Sequence, residues 1–174
     1  MEDVAIELPI KSYMLRSWRH EDKSALVKYA NNRNIWRNMR DEFPTPYREE
    51  DAENWLKKAV LNKKTMLAIS SNTESIGSIS IVINDDIRRL SGALSYWVGE
   101  PFWGKGIATE SVKTFTNYIF ENFEIIRIYA KFFASNTASK RALEKAGFIM
   151  EGNFKKAIIK EGKILDQYLY AITR

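Results

Sequence analysis

The chain has 174 residues, 45% of them hydrophobic and 28% charged, with a formal net charge of +5, no cysteine and a single histidine. That length and balance fit one globular domain, residues 1–174, with a sizeable core. The missing cysteine excludes disulfides, thiolate metal sites and an acyl-cysteine intermediate, and with His20 alone neither a metal site nor a Ser-His-Asp arrangement is expected.

No apolar run approaches the ~18 residues of a membrane helix. The opening MEDVAIELPIKSYML carries acids and lacks a basic segment ahead of a long apolar run, so no secretory signal is expected and the cytoplasm is the expected compartment. The basic residues are spread along the chain, which reads as a solvated surface and ranks nucleic acid behind a small phosphorylated ligand.

Residues 11–18, KSYMLRSW, read as a short strand. Asp22 then opens an amphipathic helix with Leu26, Val27, Tyr29 and Ala30 on its apolar side, and His20 just ahead of it is read as a capping or surface residue. Pro44 and Pro46 interrupt any helix, while Glu49, Glu50 and Asp51 mark a new helix start, where the macrodipole favours negative charge. From residue 65 the segments TMLAIS, SIGSISIVI and SGALSYWVG predict an antiparallel meander of three strands, the middle one with faces that differ in burial.

FWGKGIATES leads into a long helix with its stripe at Ala108, Val112, Phe115 and Ile119. IIRIYAKFF reads as a strand, NTASKRALEKAG as a helix ending on Gly147, and two last strands near 148–159 and 163–172 join at KEGK. The order predicts a mixed α/β (α+β) fold, since the unit around 92–132 needs a parallel crossover while its flanks are hairpins.

Gly104-Lys105-Gly106 has neither the length nor the ending of an NTPase phosphate loop, and a dinucleotide fingerprint would require glycine where Thr109 stands. The general physics remains: a strand delivers small residues to a helix start, where unpaired N–H groups can meet an anion. Glycines before a helix serve equally as turn residues, so both readings stay open on these ten residues alone.

Taken together, YWVGEPFWGKGIATESV, IYAKFFASNTASKRALEKAGF and the closing DQYLYAI resemble the GNAT superfamily of acyl-CoA-dependent N-acetyltransferases, with the nearest likeness to its ribosomal-protein N-terminal acetyltransferase-like branch. The resemblance covers the chain from YMLRSW to its end. It implies a mostly antiparallel sheet of six to seven strands flanked by about four helices, with a splayed central parallel pair that admits acetyl-CoA. It further implies that the loop and helix start of Trp103, Gly104, Lys105, Gly106, Ile107, Ala108 and Thr109 hold the pyrophosphate, and that Val98 and Glu100 lie along the pantetheine. Trp103 stands where the family pattern, [QR]-x-x-G-x-[GA], has Gln or Arg, which shifts weight to the backbone donors and Lys105. Asn136 would reach the pantetheine amides, or only cap its helix, and Ser139 would lie near the thioester sulfur.

The implied chemistry is direct attack of a neutral amine on the thioester. Ser139 is the candidate proton donor to the leaving thiolate, with Tyr129 and Tyr168 behind it; Glu100, Glu42 and Asp41 are candidate bases, each equally a surface carboxylate. Trp36, Arg37, Asn38, Arg40, Phe43 and Tyr47 are candidates for the acceptor side. The expected acceptor is a protein N-terminus or a small-molecule amine, and the expected state is a monomer or homodimer. The alternatives are a non-catalytic acyl-CoA-binding or interaction module and a basic nucleic-acid binder.

Overall fold

The structure, a computed structural model, describes residues 3–174; Met1 and Glu2, part of the stretch read for a targeting signal, lie outside it. β1 (Ala5–Glu7) and β2 (Tyr13–Ser17) pair antiparallel. α1 (Lys23–Ala30), the one-turn α2 (Arg33–Trp36) and α3 (Glu49–Leu61) follow, and β3 (Met66–Ser71), β4 (Ser75–Ile83) and β5 (Ser91–Val98) form the predicted meander. α4 (Ile107–Asn122) crosses to β6 (Arg127–Phe133), and α5 (Thr137–Lys145) precedes the hairpin of β7 (Ile149–Lys160) and β8 (Lys163–Thr173). Among the described residues, no helix is long and apolar enough to cross a membrane.

All eight strands lie in one sheet, ordered β1-β2-β3-β4-β5-β6-β8-β7. The additional strand is β1, whose three residues are too few to show a period of two; α2 is likewise a single turn, invisible to helical periodicity. The β7–β8 turn runs through Glu161 and Gly162, both left-handed at φ 48° and 74°, as a two-residue hairpin loop requires.

Local chemistry explains the helix starts. Asp51 accepts a hydrogen bond from the Arg48 N–H at 2.7 Å at the start of α3, and Asp22 accepts from the Arg19 N–H at 2.9 Å ahead of α1. In β4, Ser75 through Ile79 are all buried instead of alternating, because both α1 and α4 lie against this strand. α4 buries Ile107, Ser111, Val112, Phe115, Thr116 and Ile119, so the predicted stripe holds at Val112, Phe115 and Ile119, while Ala108 is only partly buried and Ile107 takes its place.

The sheet splits at its one parallel junction. β5 and β6 pair through Ser91–Arg127, Gly92–Ile128 and Ala93–Tyr129 and then part. Beyond that point β5 stays bonded to β4 and β6 to β8, leaving a gap between Leu94–Val98 and Ala130–Phe133.

Candidate active site

The gap is the floor of a cleft of about 470 Å³, within the roughly 300–1,000 Å³ usual for small-molecule sites. β5 contributes Leu94 to Val98, β6 Ala130 to Phe132, the glycine loop and α4 Gly104 and Gly106 to Thr109, and α5 Asn136 and Ser139. Trp103 lines it as well, and Asn34, Ile35, Asn38 and Met39 close the side next to α2.

Gly104 and Gly106 take φ of +75° and +78°, and Gly106 is the N-cap of α4, a residue with no side chain to satisfy the helix. The first bond of the helix runs from the Glu110 N–H to the Gly106 carbonyl at 3.0 Å. The N–H groups of Ile107, Ala108 and Thr109 therefore have no partner within the helix, and with the positive end of the macrodipole they suit an anion. Lys105 does not line the cleft: its Nζ lies 5.4 Å from the Phe102 ring centroid. The Trp103 indole Nε1–H donates to the Val98 carbonyl at 2.6 Å, so this residue braces the loop against the end of β5.

Asn136 caps α5, its Oδ1 accepting from the Ser139 N–H at 3.1 Å, and it also lines the cleft. Ser139 lines the cleft beside Tyr96, whose hydroxyl donates to the Ser139 carbonyl at 3.4 Å. Burial pushes the Tyr96 phenol up to about 12, so it keeps its proton at neutral pH. Tyr129 and Tyr168 are not in the lining. Tyr129 reaches Asn84 at 3.4 Å from the paired end of β6, and Tyr168 packs 5.9 Å from the Phe132 ring on β8.

The acceptor side differs most from expectation. Glu100 does not line the cleft; it sits in the turn after β5, where Asn32 Nδ2 donates to one carboxylate oxygen at 2.6 Å and Asn34 Nδ2 to the other at 3.0 Å. Glu42 is turned to solvent in an ion pair with Arg40, so neither faces the cleft. Phe43 and Tyr47 pack on each other with centroids 5.3 Å apart, and Phe43 lies 6.4 Å from Trp97, behind the lining. Burial raises the Tyr47 phenol well above its ordinary range.

Trp36 is covered by Lys160, whose Nζ lies 3.6 Å from its ring centroid and 2.7 Å from Asp41. Of the six residues expected on this side only Asn38 lines the cleft, joined by Asn34. The signal for this region was the run NNRNIWRN: Asn31 accepts from the Tyr47 N–H at 3.1 Å, Asn32 caps α2, and Asn32 and Asn34 hold Glu100.

A sheet that parts beyond its parallel pair, over a helix start left uncapped, defines an acyltransferase of the class the motifs resemble. The chain belongs to the acetyltransferase (GNAT) domain family, which matches residues 13–149. It is similar to the uncharacterized N-acetyltransferase YnaD of Bacillus subtilis, at 27% identity over 96% of each chain. It is also similar to the ribosomal-protein-serine acetyltransferase of Escherichia coli, at 27% identity over 61% of this chain and 59% of that one. The solved structure of RimL, a ribosomal L7/L12 alpha-N-protein acetyltransferase in complex with coenzyme A, shares the fold over 98% of both chains, with a TM-score of 0.85 at 22% identity. The protein is thus an N-acetyltransferase, with ribosomal-protein acetyltransferases among its relatives.

Proposed function

We propose that this chain acts as a single domain that transfers the acetyl group of acetyl-CoA to a primary amine, on a protein N-terminus or a small molecule. The observation that carries the reading is the cleft between β5 and β6, which ends on the uncapped amides of Ile107, Ala108 and Thr109. A pyrophosphate fits that cradle because the donors are backbone groups and an added Cβ at Gly104 would meet nothing within 4 Å. Val98, Asn136 and Ser139 then follow the cleft toward the reacting end.

Acetyl-CoA supplies an activated acyl group. The amine nitrogen bonds to the carbonyl carbon, the carbon–sulfur bond breaks, and the sulfur leaves with the bonding pair. Ser139 gives the thiolate its proton, and Glu100, outside the lining but hydrogen-bonded to the lining residue Asn34, takes one from the amine by way of water. An α-amino group with a pKa of about 7.7–8.0 is already ~10% neutral at pH 7, so a protein N-terminus asks little of that base. Cysteine-free chemistry sets no demand for an oxidising compartment, and we place the reaction in the cytoplasm.

The test is thermal unfolding with and without acetyl-CoA, followed by release of the CoA thiol with a panel of N-terminal peptides and amines. Binding at ~100 times Kd adds about 2.7 kcal/mol, or roughly 5–10 °C for a chain of this size. No shift at saturation rejects the cofactor site, and a shift without thiol release across the panel favours the non-catalytic module.

A further inference from the structure

Residues 33–48 supply Asn34, Ile35, Asn38 and Met39 to the lining on the acceptor side, and the tip of the β7–β8 hairpin, residues 155–163, packs on that segment without lining the cleft itself. They are fastened together by Lys160, which meets Asp41 at 2.7 Å and Trp36 at 3.6 Å, and by Arg33, which pairs with Glu161 at 2.5 Å. Together they carry eight basic and three acidic residues, a net of +5, which equals the formal charge of the whole chain. The rest of the chain is balanced, so the excess positive charge is concentrated beside the acceptor entrance.

Four of these cations are paired: Arg33 with Glu161, Arg40 with Glu42, Lys155 with Asp166 and Lys160 with Asp41. Among the described residues Arg37, Arg48, Lys156 and Lys163 have no carboxylate within ion-pair distance, and all four are exposed. Arg37 lies between Asn34 and Asn38 in the sequence, both of which line the cleft.

We propose that the acceptor is the N-terminus of an acidic polypeptide, whose first residue enters the cleft and whose following carboxylates lie along this basic rim. The inference rests on the acetyl-transfer reading above and adds the acceptor class to it. The four unpaired cations are divided between two segments, Arg37 and Arg48 on one and Lys156 and Lys163 on the other, which a ligand longer than a small anion would bridge. Nucleic acid is the poorer fit, because acids interrupt the cations at Asp41, Glu42 and Glu161, and the hairpin's exposed ring, Phe154, already has Lys131 over it at 5.8 Å.

The test is fluorescence anisotropy with the full chain and saturating CoA, using peptides labelled at the C-terminus that share their first residues and carry Glu, Ser or Lys downstream. The Glu peptide is expected to bind about tenfold more tightly than the Lys peptide at low salt, narrowing to about threefold at high salt. Combining Arg37→Glu, Lys156→Glu and Lys163→Glu should reverse the order while the thermal shift with acetyl-CoA persists, which shows that the variant is folded. Equal affinity for the three peptides overturns the proposal, as does a single-stranded RNA of matched charge that binds more tightly than the Glu peptide. Binding is read without turnover, so the two readings fail separately. A preference for Glu without acetyl transfer supports the acceptor surface and rejects the transferase reading, whereas transfer with equal affinities does the reverse.

Discussion

The Trp103 indole donates to the Val98 carbonyl at 2.6 Å, tying the glycine loop to the last residue of β5 across one corner of the cleft. Trp103→Phe keeps an aromatic ring and removes the donor, at a net cost of about 1 kcal/mol. Calorimetry should show acetyl-CoA binding weakened about fivefold, with the melting temperature lowered by about 2–4 °C. Trp103→Gln restores a donor at the position where the family pattern has one, and should bind more tightly than Phe. Equal affinities for wild type and Trp103→Phe would mean that the brace does not shape the cofactor site.

Ser139 and Tyr96 both line the cleft, with the Tyr96 hydroxyl donating to the Ser139 carbonyl, and their substitutions separate the proton donor from its neighbour. If Ser139 protonates the thiolate, Ser139→Ala lowers kcat by about 10- to 100-fold, with acetyl-CoA affinity changed less than about twofold. Tyr96→Phe loses one long hydrogen bond and should cost kcat less than about fivefold. The opposite ranking assigns the proton to the phenol, which burial keeps protonated.

Glu100 is held at both oxygens by Asn32 and Asn34, an arrangement that keeps a carboxylate in one orientation. Glu100→Gln is expected to lower kcat/KM for an N-terminal peptide by up to about tenfold at pH 7, where ~10% of such an amine is already neutral. The loss should shrink near pH 9, where an amine of pKa about 8 is already neutral. A loss that stays constant across the pH profile would point to displacement of Asn34 in the cleft wall instead of a missing base.

Much of this arrangement was legible because it is local in sequence. The glycines before α4, the acids in the first turn of α3 and the stripe on α4 each act through neighbours one or two turns away, so spacing exposes them. Lys160 shows what spacing cannot reveal: it lies 119 positions from Asp41 and reads as part of a hairpin turn until the fold brings the two within 2.7 Å. Trp36, Phe43 and Tyr47 show the same limit from the other side, because an aromatic near a cleft and an aromatic behind it have the same local pattern, and only the placement of Trp97 and Lys160 separates them.

Asp22 links stability to pH. Burial opposes its charge, and the Arg16 fork at 2.7 and 2.8 Å with the Arg19 N–H at 2.9 Å more than offsets that, holding the carboxyl below its ordinary range. A lowered pKa contributes stability that is present above the unfolded value of about 3.9 and is lost as pH falls through the folded one. Asp22→Asn leaves the buried Arg16 charge uncompensated, at a cost of about 3 kcal/mol. Melting curves should therefore show the variant roughly 6–12 °C lower at pH 7. The gap should close in acid below the lowered pKa, where wild-type Asp22 is also neutral; a gap independent of pH would remove the charge from the explanation.

Lys160 is 4% exposed, and its charge is met by a single carboxylate on a side chain 75% exposed, together with the face of Trp36. The cation is thus the bolt between the hairpin tip and the segment that supplies Asn34 and Asn38 to the cleft. Lys160→Met keeps the stem and removes the charge, which should cost about 1–2 kcal/mol from the lost cation–π and ion-pair contacts. With the segment loosened, the acceptor KM should rise about tenfold while calorimetric acetyl-CoA affinity stays within about twofold, because the pyrophosphate cradle lies on α4 and not on the hairpin. Lys160→Arg retains a cation for both partners and should recover most of the acceptor KM. If Lys160→Met weakens acetyl-CoA and acceptor equally, or if arginine recovers the melting temperature without recovering KM, the bolt serves the fold and not acceptor positioning.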